Sequence, residues 1–459
     1  MKVTFKPGLS SLALFLLSAG NALALDLAEA LSRAQQYDTT YQAAYAQYLA
    51  STEASSQSTA AILPQVGFNA FIQRGRTEND KAASALGPGG VSKSDNNSDG
   101  YSLNINQVIF DKSVFDNLDQ GDAVAAKALA DLQTARQDTI LRVTKAYFDV
   151  LTAIDALETA SAEKKAIGKQ LEQSKERYNV GLSAITDVKE QQASYDIAVA
   201  DEIIATNNLS NAREALSVII NLYSTDLEVV RPEIPLAIPE PMDMDAWKKK
   251  SLENNFSLRA AQYAVEAAQS AYDSSKGGHY PSLNLNASYG VVNSEERNFS
   301  GIILPANDNT DAKVILSLDI PLYSGGLTSS TVRQKAAELE QAQALLEQAQ
   351  RTTIALARSA FLSVQADIST VKARKQAVIS TQTSLDATTA GYDAGTRTSV
   401  DVLLSQRLLY SSQRDYYAAR YKYITDSLEL KRVAGTLTEA DILEINKWLI
   451  PKAEKSATP

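Results

Sequence analysis

Cysteine is absent from all 459 residues. That one absence removes disulfides, thiol nucleophiles, cysteine-ligated metals and a lipid-modified N-terminal cysteine, and a chain this long can bury enough surface to hold a core without cross-links. Histidine occurs once, as His279 beside Tyr280 and Pro281. With no second histidine, a catalytic triad or a zinc site lacks its parts, and the residue reads as structural. No Gly-Lys phosphate loop follows a strand. The chain carries no legible enzyme chemistry, no metal ligand set and no cofactor motif. Long basic runs are missing too: 44 Lys and Arg stand against 54 Asp and Glu, a net charge of −10 with the signs well mixed, so nucleic acid is not an expected partner. The acidity fits either solvated helix faces or an acidic lumen.

Apolar runs are short. Residues 1–24 have the layout of a secretory signal peptide: Lys2 and Lys6, an apolar stretch from Leu9 to Leu17, and Ala22, Leu23, Ala24 as a cleavage site. Nothing after it approaches the ~18 consecutive apolar residues of a spanning helix. The expectation is an exported chain with no helical anchor.

What is present is a repeat. Tyr178-Asn-Val-Gly181-Leu-Ser-Ala-Ile-Thr-Asp187-Val188 matches Tyr392-Asp-Ala-Gly395-Thr-Arg-Thr-Ser-Val-Asp401-Val402 in the spacing of Tyr, Gly, Asp and Val. Upstream of each copy runs a ladder in steps of three and four: Ile140, Val143, Tyr147, Val150, Ile154, Leu157, then Ile354, Ala357, Phe361, Val364, Ile368, Val371. These are coiled-coil seams in one register. Two aligned turns at the ends of two aligned helices imply an internal duplication, with the turns meeting at one end of the molecule.

In order, the chain reads as a signal peptide (1–24), a first repeat (25–230), a Pro-rich linker (231–242) with Pro232, Pro235, Pro239 and Pro241, a second repeat (243–435) and a C-terminal tail (436–459). The first repeat opens with one helix over about 26–61. Alternation then predicts a strand through Val66, Phe68, Ala70, Ile72, a long polar loop over 75–100, and a strand through Leu103, Ile105, Gln107, Ile109. From Lys112 to Tyr178 neither proline nor a turn cluster interrupts, so one helix of roughly 100 Å is expected, followed by a shorter one over 185–222. The second repeat keeps the same plan: a helix over 244–276, strands through Leu283–Tyr289 and Val314–Leu322 around a polar loop at 293–309, a helix to Tyr392 and a last helix to Val433.

The fold class expected is mostly α with a transmembrane β-barrel. Strands of about ten residues with two unlike faces suit a tilted barrel wall. Four strands cannot close, and open edges are forbidden in lipid, so several copies must pool their strands; a trimer supplies twelve.

At the turns, Asp187 and Asp401 admit two readings: helix caps, with Glu190 in capping-box spacing after Asp187, or carboxylate rings that constrict a pore and select cations. Tyr178, Tyr392 and Arg397 are either ordinary surface residues or links that lock the two turns together, Arg397 reaching the carboxylate of Asp187. Gly181, Leu182, Gly395 and Thr396 form the exposed tips, where a partner helix pair could continue the coil.

AYFDV at 146–150, YNVGLSAITDV at 178–188, GHYPSL at 278–283, PLYSGG at 321–326 and GYDAGTRTSVDVL at 391–403 resemble the TolC family of trimeric outer-membrane channel-tunnels, in order along nearly the whole mature chain. The resemblance implies a homotrimer with a twelve-stranded barrel in outer-membrane lipid and a helical tunnel reaching into the periplasm. It implies an exit duct for tripartite efflux or type I secretion, recruited by a periplasmic adaptor and an inner-membrane pump or ABC transporter. It assigns Tyr392 and Arg397 contacts to Thr186 and Asp187, and an aspartate ring to Asp401. The family's second aspartate, three positions on, is Leu404 here. Two rivals are a stand-alone passive pore, which would need many strands per chain and little helix, and a periplasmic coiled-coil scaffold, against which the alternating strands count.

Overall fold

A computed structural model describes residues 24–79, 92–299 and 302–451. The signal segment, apart from Ala24, and the glycine-rich stretch at 87–90 lie outside the described residues. The elements in order are α1 (Leu27–Tyr37), α2 (Thr39–Ala60), β1 (Gln65–Asn79), β2 (Ser92–Phe110), α3 (Lys112–Asn179), α4 (Ile185–Ile220), β3 (Val229–Val230), α5 (Met244–Asn254), α6 (Phe256–Gly277), β4 (Ser282–Ser294), β5 (Arg297–Phe299), β6 (Ile302–Leu304), β7 (Asn307–Asp319), α7 (Leu327–Asp393), α8 (Ser399–Val433), α9 (Glu439–Asn446) and β8 (Leu449–Ile450).

The two long helices have 68 and 67 residues, about 100 Å each at 1.5 Å per residue. Neither contains proline, and Asp111 caps the first by accepting from the Ser113 and Val114 amides. Their seams are buried: Ile140, Val143, Tyr147, Val150 and Ile154 on α3 share one core cluster with Phe361, Val364, Ile368 and Val371 on α7. Tyr147 is fully enclosed because its hydroxyl donates to the carbonyls of Leu25 and Glu228, which satisfies its one polar atom.

Each repeat's opening helix, expected as one piece, is two. Asp38 ends α1 and starts α2, its carboxylate accepting from the Thr40 amide; Asn255 separates α5 from α6 and accepts from the Leu258 amide. A short polar side chain that satisfies orphan amides makes the break favourable without proline or glycine.

The sheet runs β1-β2-β4-β7, antiparallel throughout. Its register aligns Phe68 with Leu103 and Tyr289, and Leu285 with Leu316, on one face, while Gly67, Asn104 and Ser288 align on the other. The apolar face is open: Phe68 is 70% exposed and Ile72 77%. Strands of 15, 19, 13 and 13 residues exceed the ten expected. The ladder continues through Arg74–Asn97 and Asn293–Asp308, where both faces are polar: backbone pairing does not require apolar alternation, so the pattern that marked the strands stopped before they did.

The tail expected after Gly435 is partly core. Ile442, Ile445 and Leu449 are buried, β8 pairs with β3, and the Asn446 amide group accepts from the Leu27 and Ala28 backbone and donates to Asp26. The linker is tied down as well, by Tyr423 Oη to the Ala237 carbonyl at 3.0 Å and Trp247 Nε1 to that of Pro241 at 2.8 Å. The segments around Leu27 and Ile445 thereby join the core cluster of the long helices.

Candidate functional site

The two turns are built alike. Gly181 has φ 80° and Gly395 φ 75°, the left-handed closure that a β-carbon disfavours. In the first, the Gly181 amide donates to the Tyr178 carbonyl and the Leu182 amide reaches back to Arg177. In the second, the Gly395 amide donates to Tyr392, and the Thr396 and Arg397 amides both reach Gly391. A β-carbon on Gly391 would stand 2.8 Å from Arg397 Cγ, so that side chain would have to shift to admit one.

The two aspartates are held differently. Asp187 sits in the first turn of α4, accepting from Ser183 Oγ at 2.9 Å. Asp401 closes a capping box with Thr398: its carboxylate takes the Thr398 amide and hydroxyl, both at 2.9 Å, while its own amide donates to Thr398 Oγ1. Those two donors, with a smaller contribution from Arg397, hold its carboxyl below the usual range; it is a firm anion at neutral pH. Leu404, one turn on, is 59% exposed. On the side of α8 opposite Asp401, Leu403 packs with Ile167 of α3 and Ala198 of α4.

The two helix ends are brought together by a residue the sequence reading missed. Arg177, in the last turn of α3, lays its guanidinium 5.0 Å from the centroid of the Tyr392 ring at the end of α7, a cation–π contact worth about 0.5–1 kcal/mol at an exposed site. Its signal was weak: one arginine among several charges, one residue before the repeated tyrosine. Arg397 and Tyr178 make no side-chain hydrogen bond or ion pair among the described residues of a single chain. Thr186 lies beside Asp187 at the start of α4, and Leu182 is 74% exposed at the tip.

Among the described residues there is no group of three acidic or histidine side chains placed to hold a metal ion, and no helix is long and apolar enough to cross a membrane. The arrangement consists of a sheet with one apolar face, very long helices and two glycine turns bearing aspartates. The family model described as "Outer membrane efflux protein" matches residues 30–222 and 247–436. The chain belongs to that family. A relative, outer membrane protein TolC of Vibrio cholerae serotype O1, is 36% identical over 424 residues, covering 92% of this chain and 94% of its own length. The alkaline protease secretion protein AprF of Pseudomonas aeruginosa is 28% identical over 434 residues, with 94% and 88% covered. Among solved structures, the Campylobacter jejuni CmeC outer membrane channel superposes with a TM-score of 0.75 at 14% identity, covering 98% of each chain, which speaks for the fold alone. As an outer membrane efflux protein, the chain combines a helical tunnel body with barrel strands and is an outer-membrane exit duct extending into the periplasm, as its motifs implied.

Proposed function

We propose that three copies of this efflux protein close one barrel and one tunnel, and that the paired turns form its periplasmic entrance. The observation that carries the reading is the four-stranded sheet, whose register makes one face apolar and the other polar while leaving β1 and β7, among the described residues, with unpaired edges. In lipid such edges must pair, and β7 of one copy against β1 of the next does so. Three sheets give twelve strands, above the roughly eight that a barrel requires.

In this assembly Asp401 faces the axis as a ring of three carboxylates that favours cations. Tyr392 and Arg397 hold the turn bearing Thr186 and Asp187 between copies, with Tyr178 as an auxiliary donor. The tips at Gly181, Leu182, Gly395 and Thr396 receive the helical hairpins of a periplasmic adaptor, which recruits an inner-membrane pump or ABC transporter. The duct supplies no energy and performs no chemistry. Relatives named for protease secretion support protein export alongside efflux of small molecules.

The test is the mass of the detergent-extracted protein together with conductance in planar bilayers. A conducting trimer is expected. A monomer, or a trimer that never conducts, overturns the reading. Bulky charged residues at Gly181 and Gly395 should abolish export while trimers still form; export at wild-type level by such variants removes the turns as the docking site.

A further inference from the structure

Between α3, α4 and α8 lies a cavity of about 300 Å³ lined by Glu163 on α3, Ser194 and Asp201 on α4, and Arg407, Ser411 and Arg414 on α8. It sits between two levels where the same helices are held together. Toward the turns, Ile167, Ala198 and Leu403 meet in an apolar contact; away from them, the Tyr421 hydroxyl donates to Asp155 across the α8–α3 boundary. Glu163 is only 8% exposed. None of the four charged side chains makes a hydrogen bond or ion pair among the described residues. Burial pushes the Glu163 carboxyl up, Arg414 is the largest influence favouring its carboxylate, and Asp201 opposes that more than Arg407 supports it.

A carboxylate as enclosed as that of Glu163 is unfavourable without a partner, whereas Asp201, Arg407 and Arg414 are exposed at the rim of the cavity, which is large enough for about ten waters at roughly 30 Å³ each. Two arginines seven residues apart lie on one face of α8, opposite one carboxylate on each of the other helices. The charges are complementary and the space between them is solvent-sized, so a modest approach of the helices expels the water and pairs them.

We propose that Glu163, Asp201, Arg407 and Arg414 form an ionic latch between α8 and the α3–α4 pair, open in the structure described, whose closure moves α8 toward α3 and α4. Leu403, which faces α3, lies two positions from Asp401, and two positions on a helix turn the side chain by roughly 160° to the opposite side. The inference rests on the duct reading, in which Asp401 faces the axis: drawing α8 onto α3 then carries Asp401 outward and widens the entrance.

The absence of native cysteine makes the test clean. Ser194→Cys with Ser411→Cys places one thiol on each wall of the cavity in the full-length trimer. Oxidation should form the disulfide in otherwise wild-type protein, and the yield should fall several-fold with Glu163→Gln or Arg414→Gln but persist with Arg414→Lys. Locked trimers should conduct several times more than the same trimers after reduction. Equal cross-linking with and without the charges overturns the latch, as does equal conductance of locked and reduced trimers. If the unmodified protein neither trimerises nor conducts, the duct reading fails instead, and the two failures are told apart by the mass and conductance of the wild type.

Discussion

Neutralising Asp367 should stabilise the protein near neutral pH and do nothing in acid. Asp367 on α7 is 6% exposed and precedes Ile368 of the core seam. Lys422 Nζ of α8 reaches its two oxygens at 3.1 and 3.2 Å and also pairs with Asp426. Burial, then the neighbouring Asp426 carboxyl, raise its pKa from 3.8 to about 6 against the opposing pull of Lys422. A carboxyl whose folded pKa is raised stabilises the fold in its protonated form. That contribution is complete below about pH 4 and is lost as pH rises through about 6. The shift of roughly two units corresponds to about 3 kcal/mol at most; Lys422 is 58% exposed, and solvent screening at that side reduces it to about 1–2 kcal/mol. Asp367→Asn fixes the uncharged form. Thermal unfolding of detergent-solubilised protein should show the variant a few degrees above wild type at pH 7.5, with the difference falling to about a third by pH 4.5 and vanishing below about pH 4. A difference of the same size at both pH values, or a variant less stable at pH 7.5, would refute the argument.

Arg397→Ser with Tyr392→Phe should raise bilayer conductance several-fold, since each charge-assisted hydrogen bond is worth roughly 1.5–3 kcal/mol and three-fold symmetry repeats it; unchanged conductance would show that other contacts hold the entrance. Removing the Arg177 guanidinium with Arg177→Gln should give a smaller increase, in line with the exposed cation–π contact to Tyr392, and a variant indistinguishable from wild type would make that contact incidental. Asp401→Ala should lower cation preference and multivalent-cation block, and Leu404→Asp should strengthen both by adding a second acidic ring, measured as reversal potentials and block from the periplasmic side. Asn446→Ala should cost about 1–3 kcal/mol in unfolding experiments, because two amides at the start of α1 lose their acceptor; an unaltered melting temperature would mean that water replaces it.

The long helices, the seam positions and the four alternating strands were legible in the sequence because each is a local periodicity, about 3.5 residues for the coils and two for the strands. The glycine turns were legible because only glycine takes their positive φ without strain. The family followed from motifs that span the chain in order. What escaped was whatever depends on a residue far away in the chain. The breaks at Asp38 and Asn255 look like ordinary polar positions until their side chains are seen accepting backbone amides. The tail resembles a polar terminus until Asn446 meets Leu27, at the other end of the chain, and β8 finds β3. The outer ends of the strands carry no apolar alternation and exist because a paired backbone continues the ladder.

The same division holds at the entrance. The sequence by itself determined that two aspartates come after two glycine turns, since the repeat is written in residue types and spacing. Only the tertiary structure decided that Asp401 is committed to Thr398, that Arg177 rather than a residue of the repeat spans to Tyr392, and that Glu163 is buried opposite two arginines it does not touch. Those are distances between side chains, most of them on different helices, set by how the coils cross, and no period along a single helix encodes them.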